Sequence, residues 1–421
     1  MRMKLSLLFL CLSTVVACTQ ENTNKQNENS VGSGVETKTD PLSVYCQFPE
    51  KVPAAGADQT AFDDYSWQMF LSLNWVNSQT QRGVPDCNKA IDASGPRVWE
   101  SWKTTSELFL PNAAAPGDWN SGWKGVNTSL KLSATSKVAT RIQTALESEP
   151  KGSGILQAVG GWLIDQRGNP TYYQIASNEI SFDYIVSHQL YNAEKVKTFF
   201  PVNFPWEASE IKASWRILTD KDDSSRYLTQ TALVEEFDTQ GKPKNTFITE
   251  TLGLVGLHII NKPKGFPQWV WATFEQVDNV DPNATFASYY NPDASNPNQS
   301  PCQPNVIPCT PKEGASFTTP DPLTRLTPIT AETLSVNQKF QSLLTSSVLQ
   351  YYQLVTTQRP SNPNDPGDPL GTPAPNIAAN VTMESYIQES SNCMACHQTA
   401  SGIDSPYHSD YSFLLLNATQ P

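Results

Sequence analysis

The sequence predicts an α+β fold, with a large antiparallel β-rich, Trp-rich domain followed by a small helical region. Three observations carry this expectation. All 11 tryptophans fall between Trp67 and Trp271, a sharp shift in composition against the rest of the chain. Alternating apolar and polar residues dominate the middle of the sequence, and helical spacing returns after a proline-rich interruption. The 421 residues allow two or three domains, and the formal charge of −12 argues against sequence-independent binding to nucleic acid.

Residues 1–17 read as a secretory signal, with Arg2 and Lys4 at the basic start, an apolar stretch from Leu5 to Leu12, and small residues leading to Cys18. The placement of Cys18 resembles the lipobox of bacterial lipoproteins. That resemblance implies an exported chain, acylated at Cys18 and lipid-anchored to a membrane. Thr19 after the cysteine favours the periplasmic face of the outer membrane. Cys11 leaves with the signal, and loss of Arg2 and Lys4 takes the formal charge to −14. Residues 18–41 carry almost no apolar content and read as a flexible tether.

The β-rich domain is expected over 42–329. Phe62, Tyr65, Met69 and Leu73 recur at helical spacing within 61–76, and a second helix is expected over 181–199. Residues 160–176 read as a hairpin about Asp165-Gln166-Arg167-Gly168-Asn169-Pro170. Ile211, Ala213, Trp215 and Ile217 alternate with polar residues as a half-buried strand, and 226–237, 246–260 and 268–277 continue the series. Residues 281–329 hold ten prolines and little periodicity, an irregular arm. The helical region is expected over 330–421. It comprises a helix over 330–358, a loop over 359–376 with six prolines, and a further helix over 381–400.

That last segment contains Cys393-Met394-Ala395-Cys396-His397, a C-x-x-C-H motif. Two thiols at this spacing add across the vinyl groups of one haem, and the adjacent imidazole coordinates its iron. Zinc and dithiol redox chemistry share the cysteine spacing. A zinc site needs about four ligands, yet no second C-x-x-C or H-x-x-x-H accompanies this one. A dithiol motif belongs at a strand-to-helix junction in a βαβ setting, which this sequence lacks.

On this motif the C-terminal end resembles the single-haem c-type cytochromes. The resemblance implies a cytochrome c-like haem region with one covalent haem c, Cys393 and Cys396 as thioether attachments, and His397 as proximal iron ligand. GGWLIDQRGNPTYYQ, LGLVGLHII and PQWVWATFEQVDN are also similar to stretches of bacterial cytochrome c family proteins of unassigned reaction. That group often carries His where this chain has Gln276, so no ligand role passes to this position. Small soluble cytochromes c place a distal Met well after the motif, whereas only 24 residues follow His397 and none is Met. The distal ligand is left among His408, Met383, His258, Met69 and no protein group at all. Met394 is held inside the attachment loop, and His188 reads as structural.

Cys46, Cys87, Cys302 and Cys309 remain, an even number for an oxidising compartment, so two disulfides are expected with three possible pairings. Cys302–Cys309 would close a short loop in the proline-rich arm, and Cys46–Cys87 would tie the N-terminal segment to the loop after the first helix. A four-thiolate metal site is the competing reading. Asp165, Asp183, Glu275, Asp278 and Asp281 lie near aromatics, where paired carboxylates can do acid–base work but more often cap turns. No phosphate loop, H-E-x-x-H or G-x-S-x-G is present. The sequence therefore points to electron transfer with a redox partner protein. The alternative is a haem enzyme with an open sixth site, acting on peroxide, oxygen or a small organic substrate.

Overall fold

The computed structural model describes residues 41–123, 130–132, 161–303 and 311–421. The chain divides into two units, Met1–Thr39 and Asp40–Pro421, and the described residues belong to the second. The signal peptide, Cys18 and the tether up to residue 40 lie outside them, as does Cys309.

Nine strands form one sheet among the described residues: β1 Lys103–Thr104, β2 Lys131–Leu132, β3 Tyr172–Ser177, β4 Ser209–Ile217, β5 Thr229–Phe237, β6 Pro243–Asn261, β7 Val270–Gln276, β8 Tyr352–Pro360 and β9 Pro373–Ala374. Their order is β1-β3-β4-β6-β7-β8-β9, with β5 on the first half of β6 and β2 on β5. Every pairing is antiparallel except β2 with β5. β6 has 19 residues because it serves two sets of neighbours: Phe247–Gly253 pair with β5, while Gly256–Asn261 pair with β4 and β7. The expected hairpin forms before β3. Asp165 accepts from the Arg167 and Asn169 N–H groups at 2.9 Å, and Gly168 takes φ +82°, a left-handed conformation that costs glycine little.

Helix α1, Gln59–Leu73, starts at Asp58, whose carboxylate accepts from Ala61 N–H. Helix α2, Glu179–Ser187, ends where Gln189 adopts φ +57°, and the chain turns before the short α3, Ala193–Val196. The single helix expected over 181–199 is thus two. Between 281 and 329 the described residues contain neither helix nor strand, in keeping with an irregular arm. Phe317 from this arm packs on Trp162 at 4.9 Å.

The C-terminal part departs from expectation. Helix α4, Ala331–Leu343, stops fifteen residues short of the predicted end, and Tyr352–Pro360 is a strand paired with β7. Val348, Tyr351 and Leu354 fit a helical spacing, but Tyr351, Tyr352, Val355, Thr356 and Thr357 are aromatic or β-branched and suit a pleated surface better. The helix expected over 381–400 is a series of turns followed by one short helix, α5, Cys393–His397. A cytochrome c-like helical region over 330–421 is therefore not what these residues build; they complete the sheet.

Packing explains why. Trp67 of α1 stacks on Phe340 of α4 at 5.2 Å and meets Phe274 of β7 edge-on, while its indole N–H donates to Asn337 Oδ1 at 2.8 Å. Asn337 in turn holds Leu354 of β8 through both its backbone N–H and carbonyl. Buried Asp63 accepts from Thr333 Oγ1 at 2.7 Å and from the Thr357 N–H at 3.1 Å. One hydrophobic core thus joins α1, the sheet and α4, and the tryptophan boundary in the sequence does not divide it. The Cys46–Cys87 disulfide is formed, with Cα atoms 5.7 Å apart.

Candidate functional site

The motif rests on one face of the sheet. Ile175, Lys212, His258 and Thr273 lie side by side across β3, β4, β6 and β7, and the row two residues further along ends in Ile260, Trp271 and Gln358. Trp271 meets the His397 ring at 4.4 Å, and Phe413 meets it at 4.8 Å. Helix α5 begins at Asn392, whose carboxamide accepts from Ala395 N–H. Gln358 of β8 accepts the Met394 N–H at 2.9 Å, so one otherwise orphaned first-turn donor is satisfied by the sheet. Past the helix, Gln398 donates to the carbonyls of Leu370 and Gly371.

His397 Nδ1 lies 2.6 Å from the Tyr411 carbonyl. A carbonyl only accepts, so Nδ1 carries the proton and Nε2 is the basic, ligating nitrogen. Burial pushes the imidazole down to about 3, which keeps it neutral. Cys393 and Cys396 are free thiols, and burial raises both, Cys396 to about 12. That is the reverse of the lowered thiol that dithiol redox chemistry requires. Even so, water reaches part of Cys393, Cys396, His397, Lys212 and His258. These groups are thus desolvated without being sealed from solvent.

A turn spanning residues 380–384 forms another wall. Tyr173 Oη donates to the Thr382 carbonyl at 2.7 Å, Ser214 Oγ pairs with Thr382 Oγ1 at 2.7 Å, and Asn380 Nδ2 donates to Thr273 Oγ1 and the Phe274 carbonyl. Glu275 accepts the Val381 N–H at 2.6 Å. The turn delivers Glu384, whose Oε2 accepts the Asn380 N–H at 2.9 Å and lies 3.5 Å from His258 Nε2. Lys212, His258 and Glu384 all interact electrostatically with His397, and Lys212 and Glu384 do so with Cys396.

The other sequence candidates fall elsewhere or take structural roles. His408 Nδ1 accepts from the Asp410 N–H, and its ring packs edge-on against Tyr411, in the loop that holds His397 Nδ1. Met383 is buried within the 380–384 turn. His188 is exposed and bonds the Tyr184 carbonyl. Asp165, Asp278 and Glu275 are paired with Arg216, Arg226 and Arg325, and Gln276 bonds Asp278. These pairs hold loops to the sheet. Met69 lines a separate cavity of about 610 Å³ with Tyr65, Arg82, Trp102, Trp119 and Glu207. The Cys302–Cys309 pairing lies outside the described residues. Sequence reasoning missed Lys212 and Glu384; an alternating strand and a polar turn gave no signal that they would meet.

Among the described residues no three His, Cys, Asp or Glu side chains converge to hold a bare metal ion, and no helix is long and apolar enough to cross a membrane. The donor set fits a haem instead: two free thiols one helical turn apart and a neutral imidazole with its tautomer fixed. No protein-family profile, curated protein or solved structure matches the chain.

Proposed function

We propose that this protein binds one covalent haem c and transfers electrons, as an exported lipoprotein at the periplasmic or outer-membrane surface. The observation that carries the reading is the C-x-x-C-H motif with its His397 Nδ1 bonded to the Tyr411 carbonyl and both thiols unpaired. Cys393 and Cys396 would form the thioethers, and His397 Nε2 would supply the proximal nitrogen. The haem, when bound, supplies a reversible one-electron couple. The chain's own residues do the rest: Trp271 and Phe413 pack against the ring of His397 and fix it, and the Tyr411 carbonyl raises its basicity. The acidic surface favours a basic redox partner.

A pyridine haemochrome spectrum tests this directly. One c-type haem per chain is expected for the exported protein, lost in Cys393→Ser. A wild-type chain without covalent haem overturns the reading. Palmitate labelling that disappears in Cys18→Ser tests the anchor, and labelling that persists in this variant refutes it.

A further inference from the structure

We propose that His258 is the second protein ligand to the iron, an assignment that rests on the covalent-haem reading above and deepens it. His258 lies on the face of the sheet against which His397 is seated. It occupies the row with Lys212 and Thr273, and Trp271, two residues beyond Thr273, carries the His397 ring. His397 and His258 come from segments far apart in sequence, α5 and β6, and meet the same face of the sheet. The other histidines are placed differently. His188 is exposed and packed between Tyr184 and Phe199. His408 belongs to the loop that anchors the Nδ1 side of His397, whereas a second ligand must face the Nε2 side.

The surroundings of His258 suit a ligand. Glu384 Oε2 stands 3.5 Å from His258 Nε2, an ion-pair distance, and that buried nitrogen has no hydrogen-bond partner among the described residues, which leaves it for a ligand. Glu384 is held in turn by the Asn380 N–H, and that turn is fastened to the sheet through Tyr173, Ser214, Thr273 and Glu275. Position is therefore set by backbone and buried side chains. Among the methionines, Met394 is enclosed in the hydrophobic core and Met69 lines the other cavity.

The test uses the full exported chain with His258→Ala, His258→Met and Lys212→Ala. Reduced wild type should be low-spin and unchanged by carbon monoxide. His258→Ala should keep its c-type haemochrome but bind carbon monoxide, and added imidazole should return it to low spin. His258→Met should be closed again, with a long-wavelength sulfur-to-iron band. Lys212→Ala should remain closed. If wild type binds carbon monoxide as readily as His258→Ala, if His258→Ala stays closed, or if only Lys212→Ala opens the site, the assignment is wrong while the haem reading stands. A wild-type chain with no covalent haem overturns both.

Discussion

Lys262 Nζ lies 2.7 Å from Asp410 Oδ2 in the protein interior, and the same oxygen accepts the Phe204 N–H at 2.7 Å. Lys262 also donates to Asn203 Oδ1 and the Phe204 carbonyl. Asp410 and Tyr411 sit at φ +54° and +66°, a conformation costing non-glycine residues roughly 1–2 kcal/mol each. The ion pair thus holds a strained turn whose next carbonyl fixes His397.

Removing one partner should be expensive. Lys262→Met leaves Asp410 buried without its cation and should cost about 3–5 kcal/mol of unfolding free energy in urea. A loss below about 1 kcal/mol would show that the pair is dispensable.

Stability should depend on pH through Glu210, one of whose carboxylate oxygens has no partner. Burial, with Asp410 nearby, raises Glu210 to about 7, and burial raises Asp410 to about 6. A folded-state value above the unfolded one means the stabilisation is complete below about pH 4 and lost as pH rises through 6 to 7. Glu210 accounts for on the order of 3 kcal/mol of that fall. Other buried acids shift in both directions, so the difference between wild type and Glu210→Gln isolates it. Parallel stability curves from pH 4 to 8 would contradict the prediction.

Gly256 marks a close approach. A Cβ there would stand 2.5 Å from Ser214 Oγ and Thr382 Oγ1 and 3.1 Å from Asn380 Oδ1. Gly256→Ala should push the 380–384 turn off the sheet, cost about 1–3 kcal/mol and loosen Glu384 from His258. Thermal unfolding reads the loss of stability. Faster hydrogen exchange at the Val381 amide reads the displacement of the turn.

The Cys46–Cys87 bridge spans 41 residues, and closing a loop of that length contributes about 3–4 kcal/mol by chain entropy. A Cys46→Ser, Cys87→Ser double variant should unfold correspondingly earlier in denaturant. Non-reducing peptide mapping of wild type should recover the linked pair.

Much of the framework was readable from local pattern: α1, the hairpin at Asp165, and strands β4 to β7 lie within a few residues of their expected places. Two misreadings have different causes. Over 348–358 the spacing admits helix or strand, and only the vacant edge of β7, provided from far away in sequence, decides for strand. Over 381–392, Asn380, Glu384 and Ser385 bond backbone and side chains across the turn, which displaces helical pairing. The motif itself was visible as five letters. The wall facing it was not, because Lys212, His258 and Glu384 become neighbours only through strand register and a fastened turn.

The contact of Trp67 with Asn337 and Phe340 also imposes an order in time. A chain delivered N-terminus first presents α1 long before its partner exists, so the apolar side of that helix waits while some 270 further residues emerge. Until α4 and β8 arrive, the first helix has nowhere to bury Trp67. Under the export proposed above, the segment that bears Cys393 and Cys396 would be among the last to emerge, after the partners of Trp67.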